Sequence, residues 1–520
     1  MLFREKTRMY IKIILSGLLY IIGFADMWCY QRLHMPITSS LLNIVLQTNS
    51  QESQEAISSY WNCSILLSPL SLLLIVSLLH SFLSFSYKKY HFNNNSSRFQ
   101  IYKILIPILI ISFVVSLPDK EHFLYTHILK LNDEDKQQKE LFFNIETRAN
   151  IYLPVYRLFV AVNDIMNYKD VIDRLQQTAE QTTVDTCAFT SPNLVLIIGE
   201  SYNRHHSQLY GYQKETTPYQ YARMKKGEIK VFSDVISAWN LTYMSFQDMF
   251  SLKTQLNKGG WYDYPLFTTI FKLSGYDVQF LSNQYALSLE GSFSDFVEDM
   301  FINNPKMSSL QFTHRNTTTH QYDEQLLADY DSLDNNNSSK LIIFHFLGLH
   351  ADFHQRYPEN YIHFTADNYK RDDLSAEDRQ LIAYYDNAMR YNDKVIESIL
   401  QRMEQKESIV VCLADHGERI FDYDTNTFGR SMAMTYESIH QQYDIPFWIW
   451  YSDIYREKHP DIANSISSSV HKPWTTANLS HLMLFLGGIK NQFYCKEANI
   501  LTPDYKPKKR MIGGKYPYNK

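Results

Sequence analysis

Three apolar stretches mark the N-terminal part of the chain. They cover residues 10–29, 63–86 and 104–117. The first two have the roughly 20 residues that a helix needs to cross a bilayer, and Tyr102 and Lys103 can extend the shorter third one. The pattern therefore predicts a transmembrane region over residues 1–118, with three spans.

The first stretch could instead be a cleaved signal peptide. The residues at its end, Asp26-Met27-Trp28-Cys29, lack the small side chains of a cleavage site, and two further apolar stretches follow. We therefore expect it to be retained as a span.

Basic residues predict the orientation of these spans. One cluster lies at the start of the first stretch and one between the second and third: Arg4, Lys6, Arg8 and Lys12, then Lys88, Lys89, Arg98 and Lys103. Because cytoplasmic loops carry an excess of Lys and Arg, both segments should face the cytoplasm. The loop 30–61 and everything after residue 118 then face outward.

The pattern changes after the predicted spans. Residues 119–190 are polar with scattered apolar positions, which predicts bridging helices. From residue 191 to 520, continuous apolar runs such as NLVLIIGE, KLIIFHFLGLH and SIVVCLADHG alternate with helical segments. Continuous apolar strands indicate a sheet covered on both faces, so we predict an α/β domain built as an α/β/α sandwich.

Composition narrows the range of partners. The chain has 520 residues and a net charge of −5, which gives no basic field for a nucleic-acid partner. Cysteines are few, but an outward location permits disulfides. A bridge between Cys187 and Cys495 and a pair of free thiols are equally compatible with the sequence.

Chemically active side chains follow three of the predicted strands. Glu200 ends the first, His350 ends a later one, and Asp415 and His416 end another. In such sheets the ligand site lies at the carboxyl ends of the strands. Carboxylate and imidazole groups suit Zn²⁺, so this edge is a candidate zinc site with one ligand still to be found.

Thr242 is the candidate for the missing ligand and for the nucleophile. It begins an amphipathic segment in VFSDVISAWNLTYMSFQDMFSL, where free backbone N–H groups and the helix dipole would favour an alkoxide and a phosphate. Coordination to zinc would also make its hydroxyl easier to deprotonate. The alternative is an ordinary threonine at a helix N-cap.

Five stretches in order resemble the landmarks of bacterial phosphoethanolamine transferases. They are NLVLIIGESYNRHHSQLYGYQKETTPYQ, SAWNLTYMSFQDMFS, FHFLGLHADFHQRYP, ADHGE and YDIPFWIWYS. These enzymes are membrane-anchored members of the alkaline phosphatase and sulfatase superfamily. The resemblance implies an alkaline-phosphatase-like fold for residues 191–520, located in the bacterial periplasm and held by a multi-pass anchor in the inner membrane.

The resemblance also implies roles for particular residues. Glu200, Thr242, Asp415 and His416 would hold zinc, with one or two ions in the site, and Thr242 would carry the transferred group. His350 would contact the substrate phosphate or a second zinc. The donor would be phosphatidylethanolamine, a membrane lipid, and the acceptor lipopolysaccharide core sugar or lipid A. A core sugar is favoured because SAWNLTYMSFQDMFS lacks the paired cysteines of the lipid A branch.

The chain departs from the family pattern in two places. Family members usually carry a histidine after a glycine downstream of DHGE, but here Gly429 is followed by Arg430. Arg430 could bind phosphate through its guanidinium, His440 could take the role of the histidine, or both could be solvated loop residues. Relatives also typically have five spans where this chain shows three.

Two other functions remain open. A phosphoglycerol transferase or another hydrolase of the superfamily would share the fold, although the chain has no C-x-P-x-R run of the kind that formylglycine sulfatases require. A membrane-tethered, non-catalytic binding module would be favoured if a ligand were missing, but all four predicted ligands are present.

The predicted orientation can be tested with reporter fusions. A reporter fused after residue 95 should lie in the cytoplasm, and one fused after residue 130 should lie outside it. The reverse pattern of alkaline phosphatase and fluorescent-protein activity would contradict the orientation.

Overall fold

The N-terminal unit contains one helix suited to a membrane. The computed structural model describes residues 5–33, 37, 41–42, 71, 73–78, 80, 154–284, 301–333, 338–423, 428–430, 435–514 and 516–518. Helix Glu5–Leu33 includes Tyr10–Cys29, which is long and apolar enough to cross a bilayer and coincides with the first predicted span. The predicted spans 63–86 and 104–117 lie outside the described residues except for 71, 73–78 and 80, so the number of spans stays a prediction.

The second unit is built around a seven-stranded sheet. We label its strands in chain order: β1 (Asn193–Gly199), β2 (Ile229–Val231), β3 (Asp277–Ser282), β4 (His314–Arg315), β5 (Lys340–His345), β6 (Ser408–Ala414) and β7 (Phe447–Tyr451). The order across the sheet is β2-β7-β6-β1-β5-β3-β4. Strands β4, β3, β5, β1 and β6 pair in parallel, while β7 is antiparallel to both β6 and β2.

Both faces of the sheet are covered. Every residue of β3, β5 and β6 is buried, and so are six of the seven residues of β1. Since successive side chains of a strand point to opposite faces, burial of both sets requires a layer on each side. This confirms the predicted α/β/α sandwich.

The covering helices are mostly short. They are Pro154–Gln181, Pro218–Lys225, Thr242–Phe250, Phe267–Leu273, Pro305–Gln311, Leu326–Leu333, Ala376–Met403, Tyr436–Tyr443, Asp453–Lys458, Pro460–Ser469 and Leu479–Gly487. The longest of those after the bridging helix begins at a capping box, in which Ser375 Oγ accepts from Asp378 N at 3.0 Å and Asp378 Oδ2 accepts from Ser375 N at 3.2 Å. Its apolar face packs on the sheet beside β6.

Three small two-stranded sheets complete the unit. Thr186–Cys187 pairs with Ile489–Lys490, Val235–Ile236 with Trp474–Thr475, and Met511–Ile512 with Tyr516–Pro517. The second of these holds the segment that leads into helix Thr242–Phe250. The predicted domain boundaries at residues 118 and 190 stay predictions, although residues 154–181 do form a helix within the predicted bridging region.

The proposed bridge between Cys187 and Cys495 is not formed, and both thiols are free. The two sulfur atoms face different neighbours: Cys187 Sγ lies 3.9 Å from the carbonyl oxygen of Gly487, and Cys495 Sγ lies 3.5 Å from Glu497 Oε2. The separation of the two cysteines in space decides whether they can bond, and it cannot be read from their positions along the chain.

The central strand should dominate stability. Leu196 in β1 is completely buried, so Leu196→Ala should lower the free energy of unfolding by about 2–5 kcal/mol. Leu273 is 53% exposed, and Leu273→Ala should change it by less than about 1 kcal/mol. Denaturant titration of the two purified variants would check this, and equal losses would contradict the assigned core.

Candidate active site

Two neighbouring parallel strands bring the predicted acidic residues together. Glu200 follows β1 and Asp415 follows β6, and the preceding residues Gly199 and Ala414 are register partners. The backbone N–H of Asp415 donates to the carbonyl of Gly199 at 3.0 Å, and the N–H of Ser201 donates to Asp415 Oδ1 at 3.2 Å. The pairing of the strands therefore fixes the two carboxylates side by side at the carboxyl edge of the sheet.

Thr242 meets this pair from the end of a helix. It is the first residue of helix Thr242–Phe250, and its hydroxyl donates to Glu200 Oε2 at 3.0 Å. Thr242 Oγ1 also lies 3.4 Å from His416 Nε2. Leu241 holds the N-cap position and no side chain caps the helix, so Thr242 is not an ordinary capping threonine. The fold instead points its hydroxyl into the cluster.

The cluster has the composition and geometry of a zinc site. One ligand atom from each of Glu200, Asp415 and His416 lies within 4.8 Å of the others, and all three residues are buried. His416 Nδ1 lies 2.8 Å from the carbonyl oxygen of Gly417 and donates to it. The lone pair is therefore on Nε2, which lies 3.4 Å from both Glu200 Oε1 and Asp415 Oδ2.

One buried oxygen in the cluster supports a bound cation. Asp415 Oδ2 has no hydrogen-bond partner among the described residues, and an unsatisfied buried carboxylate oxygen is costly. Carboxylate, imidazole and hydroxyl groups at these positions fit zinc, which would be held by Glu200, Thr242, Asp415 and His416.

Electrostatics favour the same interpretation. Burial, reinforced by the charge of Glu200, raises the pKa of Asp415 well above its usual range. Two ionised carboxylates at this distance require a positive charge close to both. Burial, assisted by Arg430, lowers the pKa of His416 to about 4, so at neutral pH its ring is in the neutral form that binds metal ions.

Arg430 supplies one positive charge to the cluster. Its Nη2 atom lies 3.0 Å from Glu200 Oε1 and 3.4 Å from Ser201 Oγ, and its Nε atom lies 3.6 Å from Glu418 Oε2. The side chain is partly exposed, so it lies between the buried cluster and the solvent. The sequence left phosphate binding by Arg430 as one of three alternatives, and this role stays a prediction.

His440, the alternative candidate for the family histidine, belongs to a different hydrogen-bond network. Its Nδ1 atom lies 3.0 Å from Asp444 Oδ2 and 3.3 Å from the hydroxyl of Tyr518, and its carbonyl oxygen lies 3.2 Å from His205 Nε2. Helix Tyr436–Tyr443 directs the ring toward Asp444, which follows it by one turn. Of the two residues considered for the role of the family histidine, the structure brings Arg430 to the cluster.

His350 lies on the loop that follows β5. This loop is fastened to β1, because the N–H of Leu349 donates to the carbonyl of Glu200 at 3.3 Å. Burial lowers the pKa of His350 to about 3 despite the nearby charge of Glu200. Its Nδ1 atom has no hydrogen-bond partner among the residues that the structure describes, so the neutral ring has a polar atom available for a ligand.

Two residues that hold Glu200 escaped the sequence analysis. Gln284 Nε2 donates to Glu200 Oε2 at 3.1 Å and to the carbonyl of Phe346 at 2.8 Å, while Ser201 Oγ donates to Glu200 Oε1 at 2.7 Å. Gln284 follows β3, so the strand-end argument applied to FLSNQ could have found it. Ser201 has a φ of 55°, an uncommon value outside glycine, which gave no sequence signal.

Gly417 explains why the acid and the histidine are followed by a glycine. A Cβ atom at this position would lie 2.2 Å from the carbonyl oxygen of Gln441. The close approach lets the N–H of Gly417 donate to the carbonyl of Gln442 at 2.8 Å, which fixes the turn behind the cluster.

The chain is similar in sequence to a known family and to several known proteins. Residues 192–489 match the family described as Sulfatase. Phosphoethanolamine transferase EptC of Escherichia coli (strain K12) is 25% identical over 503 residues, which are 94% of this chain and 82% of that protein. Phosphoethanolamine transferase CptA of Salmonella typhimurium is 25% identical over 522 residues, with 97% of this chain and 85% of that protein covered.

Solved structures of phosphoethanolamine transferases are also similar to this chain. The C-terminal periplasmic domain of EcEptC from Escherichia coli has a TM-score of 0.56 and 28% identity, covering 65% of this chain and 93% of that one. The complex of that domain with Zn gives a TM-score of 0.55 at 27% identity, covering 65% of this chain and 93% of that one. The integral membrane protein EptA from Neisseria meningitidis has a similar fold, with a TM-score of 0.63 at 20% identity over 93% of this chain and 86% of that one.

The fit of the cluster to zinc leads to a prediction about metal content. The purified protein should contain zinc, and Asp415→Ala or His416→Ala should remove it, because each deletes a ligand atom from a buried site. His354→Ala is the matched control, since this side chain is 53% exposed and pairs with Asp352 instead.

Elemental analysis by mass spectrometry would measure the metal content. Full zinc occupancy in Asp415→Ala, or an active wild-type protein free of zinc, would contradict the assignment.

Proposed function

This chain belongs to the sulfatase family, in the branch of the phosphoethanolamine transferases, and we propose that it moves phosphoethanolamine from phosphatidylethanolamine to lipopolysaccharide through a covalent intermediate on Thr242. One observation carries the proposal. The hydroxyl of Thr242 stands at the start of a helix, 3.0 Å from Glu200 and beside the Asp415-His416 pair.

The first step is attack by Thr242 on the donor. Its hydroxyl proton points at Glu200 Oε2, which accepts it as Thr242 Oγ1 forms a bond to phosphorus. The bond from phosphorus to the glycerol oxygen breaks, and that oxygen takes up the proton from Glu200 or one from solvent, so diacylglycerol leaves as an alcohol. Zinc, when bound, makes the hydroxyl more acidic and offsets negative charge on the phosphoryl group.

Other residues orient the phosphoryl group. Arg430 places its positive charge beside the phosphoryl group, because its partly exposed side chain lies at the boundary between the buried cluster and the exterior. His350 is neutral and offers a free Nδ1 atom among the described residues. The positive end of helix Thr242–Phe250 favours the negative charge that passes through the site.

The second step returns Thr242 to its starting state. A hydroxyl or phosphate of the acceptor attacks the phosphorus and gives up its proton to Glu200 or solvent. The bond to Thr242 Oγ1 breaks, and this oxygen takes up a proton to restore the hydroxyl. Positioning and electrostatic stabilisation supply most of the protein's contribution to such a transfer. A membrane anchor through residues 10–29 would keep the periplasmic domain at the surface that holds the lipid donor.

A core sugar is the favoured acceptor over lipid A. The lipid A branch has paired cysteines in the stretch around the nucleophile, whereas this chain has Ala238 and Asp248 there. Here Trp239 Nε1 donates to Asp248 Oδ2 at 2.7 Å, which ties the turn to the helix without a disulfide.

Substitution of Thr242 tests the covalent role. Thr242→Ala should fold and transfer nothing, since no oxygen remains to form the intermediate, and Thr242→Ser should keep partial activity. If Thr242 only capped the helix, Thr242→Ala would instead lower the free energy of unfolding by about 1 kcal/mol and leave the turnover of the enzyme unchanged. Thr269→Ala, at a buried threonine of another helix, should stay active and is the matched control.

The measurement is a transfer assay with headgroup-labelled phosphatidylethanolamine, followed by peptide mapping. The label should lie on Thr242. A label on Ser201, Ser237 or Ser245, or full activity of Thr242→Ala, would rule out Thr242 as the nucleophile.

A further inference from the structure

A cleft lies beside the segment that leads to Thr242. It is open to solvent, and its lining includes Gln255, Asn478, Tyr505, Lys506, Lys508 and Lys509. Nothing in the mechanism above uses these residues. They combine amide, phenol and ammonium groups around one concave surface.

The three lysines give the cleft an unbalanced positive charge. Lys506, Lys508 and Lys509 are exposed and form no salt bridge or side-chain hydrogen bond with the described residues. Arg510 differs, because its guanidinium lies 2.8 Å from Asp234 Oδ1. Glu497 is the one acidic side chain in the lining, so ammonium groups outnumber carboxylates there.

The basic segment is held in place at both ends. Before it, the hydroxyl of Tyr505 donates to the carbonyl of Pro473, and the N–H of Lys506 donates to the carbonyl of Glu497 at 3.2 Å. After it, Arg510 binds Asp234. The lysines are therefore presented by a fixed stretch of backbone.

The position of the cleft connects it with the nucleophile. Thr475, in the lining, is the register partner of Ile236 in the short parallel sheet. Residues 237–241 run from that strand to Thr242, and the N–H of Gly513 donates to the carbonyl of Ala238 at 2.8 Å. The turn Thr476–Asn478 packs against helix Thr242–Phe250. One wall of the cleft is therefore formed by residues that also contact the strand before Thr242 and the helix that begins at Thr242.

We propose that this cleft binds the phosphorylated sugars of the acceptor while an acceptor group reaches Thr242, an inference that rests on the proposed function. Lysine ammonium groups bind phosphate, and amide and phenol groups can bond sugar hydroxyls. The donor headgroup is a zwitterion that carries its own ammonium group, so a site with three exposed lysines matches the polyanionic acceptor better. The concave, amide-bearing lining also suits a saccharide better than a flat bilayer surface.

The test compares two triple variants of the full chain in neutral detergent. Lys506→Gln/Lys508→Gln/Lys509→Gln removes the charges in the cleft, and Lys225→Gln/Lys226→Gln/Lys370→Gln removes the same charge from exposed lysines elsewhere. The acceptor probes are a deep-rough lipopolysaccharide with core phosphates and the same material treated with phosphatase. Direct binding of each probe is measured without donor, and KM is measured with donor.

The cleft variant should bind the phosphorylated probe about tenfold more weakly or worse, with KM rising alike. Its affinity for the dephosphorylated probe should match that of the wild type, as should its rate of Thr242 labelling from phosphatidylethanolamine. The control variant should behave as the wild type in all assays. Added salt should lower the affinity of the wild type for the phosphorylated probe until it approaches that of the cleft variant.

Three results would overturn the proposal. They are unchanged binding of the phosphorylated probe, equal loss in the control variant, and a fall in Thr242 labelling from vesicles of phosphatidylethanolamine and phosphatidylglycerol that accounts for the whole defect. The last would assign the lysines to the bilayer surface. A wild type that never labels Thr242 would instead refute the proposed function, while the direct binding measurement would still decide the role of the cleft.

Discussion

The rest of the site depends on the close approach of two buried carboxylates, those of Glu200 and Asp415. Glu200 and Asp415 sit on adjacent parallel strands whose register leaves them no freedom to separate. Glu200 is satisfied by Ser201, Gln284, Thr242 and Arg430, but one oxygen of Asp415 has no partner among the described residues. Burying such a pair in ionised form is unfavourable unless a cation lies between them, so the register of the sheet creates a site that a metal ion would stabilise.

A layer of side chains behind the cluster keeps it rigid. Tyr385, on helix Ala376–Met403, donates to the carbonyl of Ser201 at 2.7 Å and accepts from the N–H of Asn203 at 2.7 Å. Asn203 in turn bonds the carbonyl of Glu418 at 2.9 Å and Asp422 Oδ2 at 2.7 Å. The long helix, the turn after β1 and the loop after β6 are thereby joined by hydrogen bonds, which limits the movement of the ligands.

The same region contains a buried ion pair that links two of these elements. His206 lies 2.7 Å from Asp386 Oδ1 and 2.8 Å from Asp422 Oδ1. Although burial disfavours its charged form, the two carboxylates raise its pKa to about 10. The charged ring therefore fastens the start of the segment that carries Arg430 to the long helix at every pH where the site would work.

Features that follow from a run of neighbouring residues could be predicted from the sequence. Features that depend on the distance between residues far apart in the chain could not. The strands of the core were recognisable because burial on both faces requires continuous apolar runs, and Glu200, Asp415 and His416 followed from the rule that ligands gather at the carboxyl ends of strands. Thr242 was found as a helix start, although only the structure separates it from a cap. The choice between Arg430 and His440 depended on how a loop folds back, and the pairing of Cys187 with Cys495 depended on a separation in space. Neither quantity is encoded in a short pattern.

The tail after the basic segment has a consequence for biogenesis. Ile512 and Tyr518 pack with Ile236 and Tyr443, and the hydroxyl of Tyr518 donates to Asp444 Oδ1 at 2.5 Å. During synthesis, residues 236–238 emerge long before the residues that cover them, and this surface stays open until residues 511–518 have been made and have docked. A product interrupted before residue 511 would hold every cluster residue yet expose an uncovered apolar face, by which proteases and chaperones could distinguish it from the longer chain.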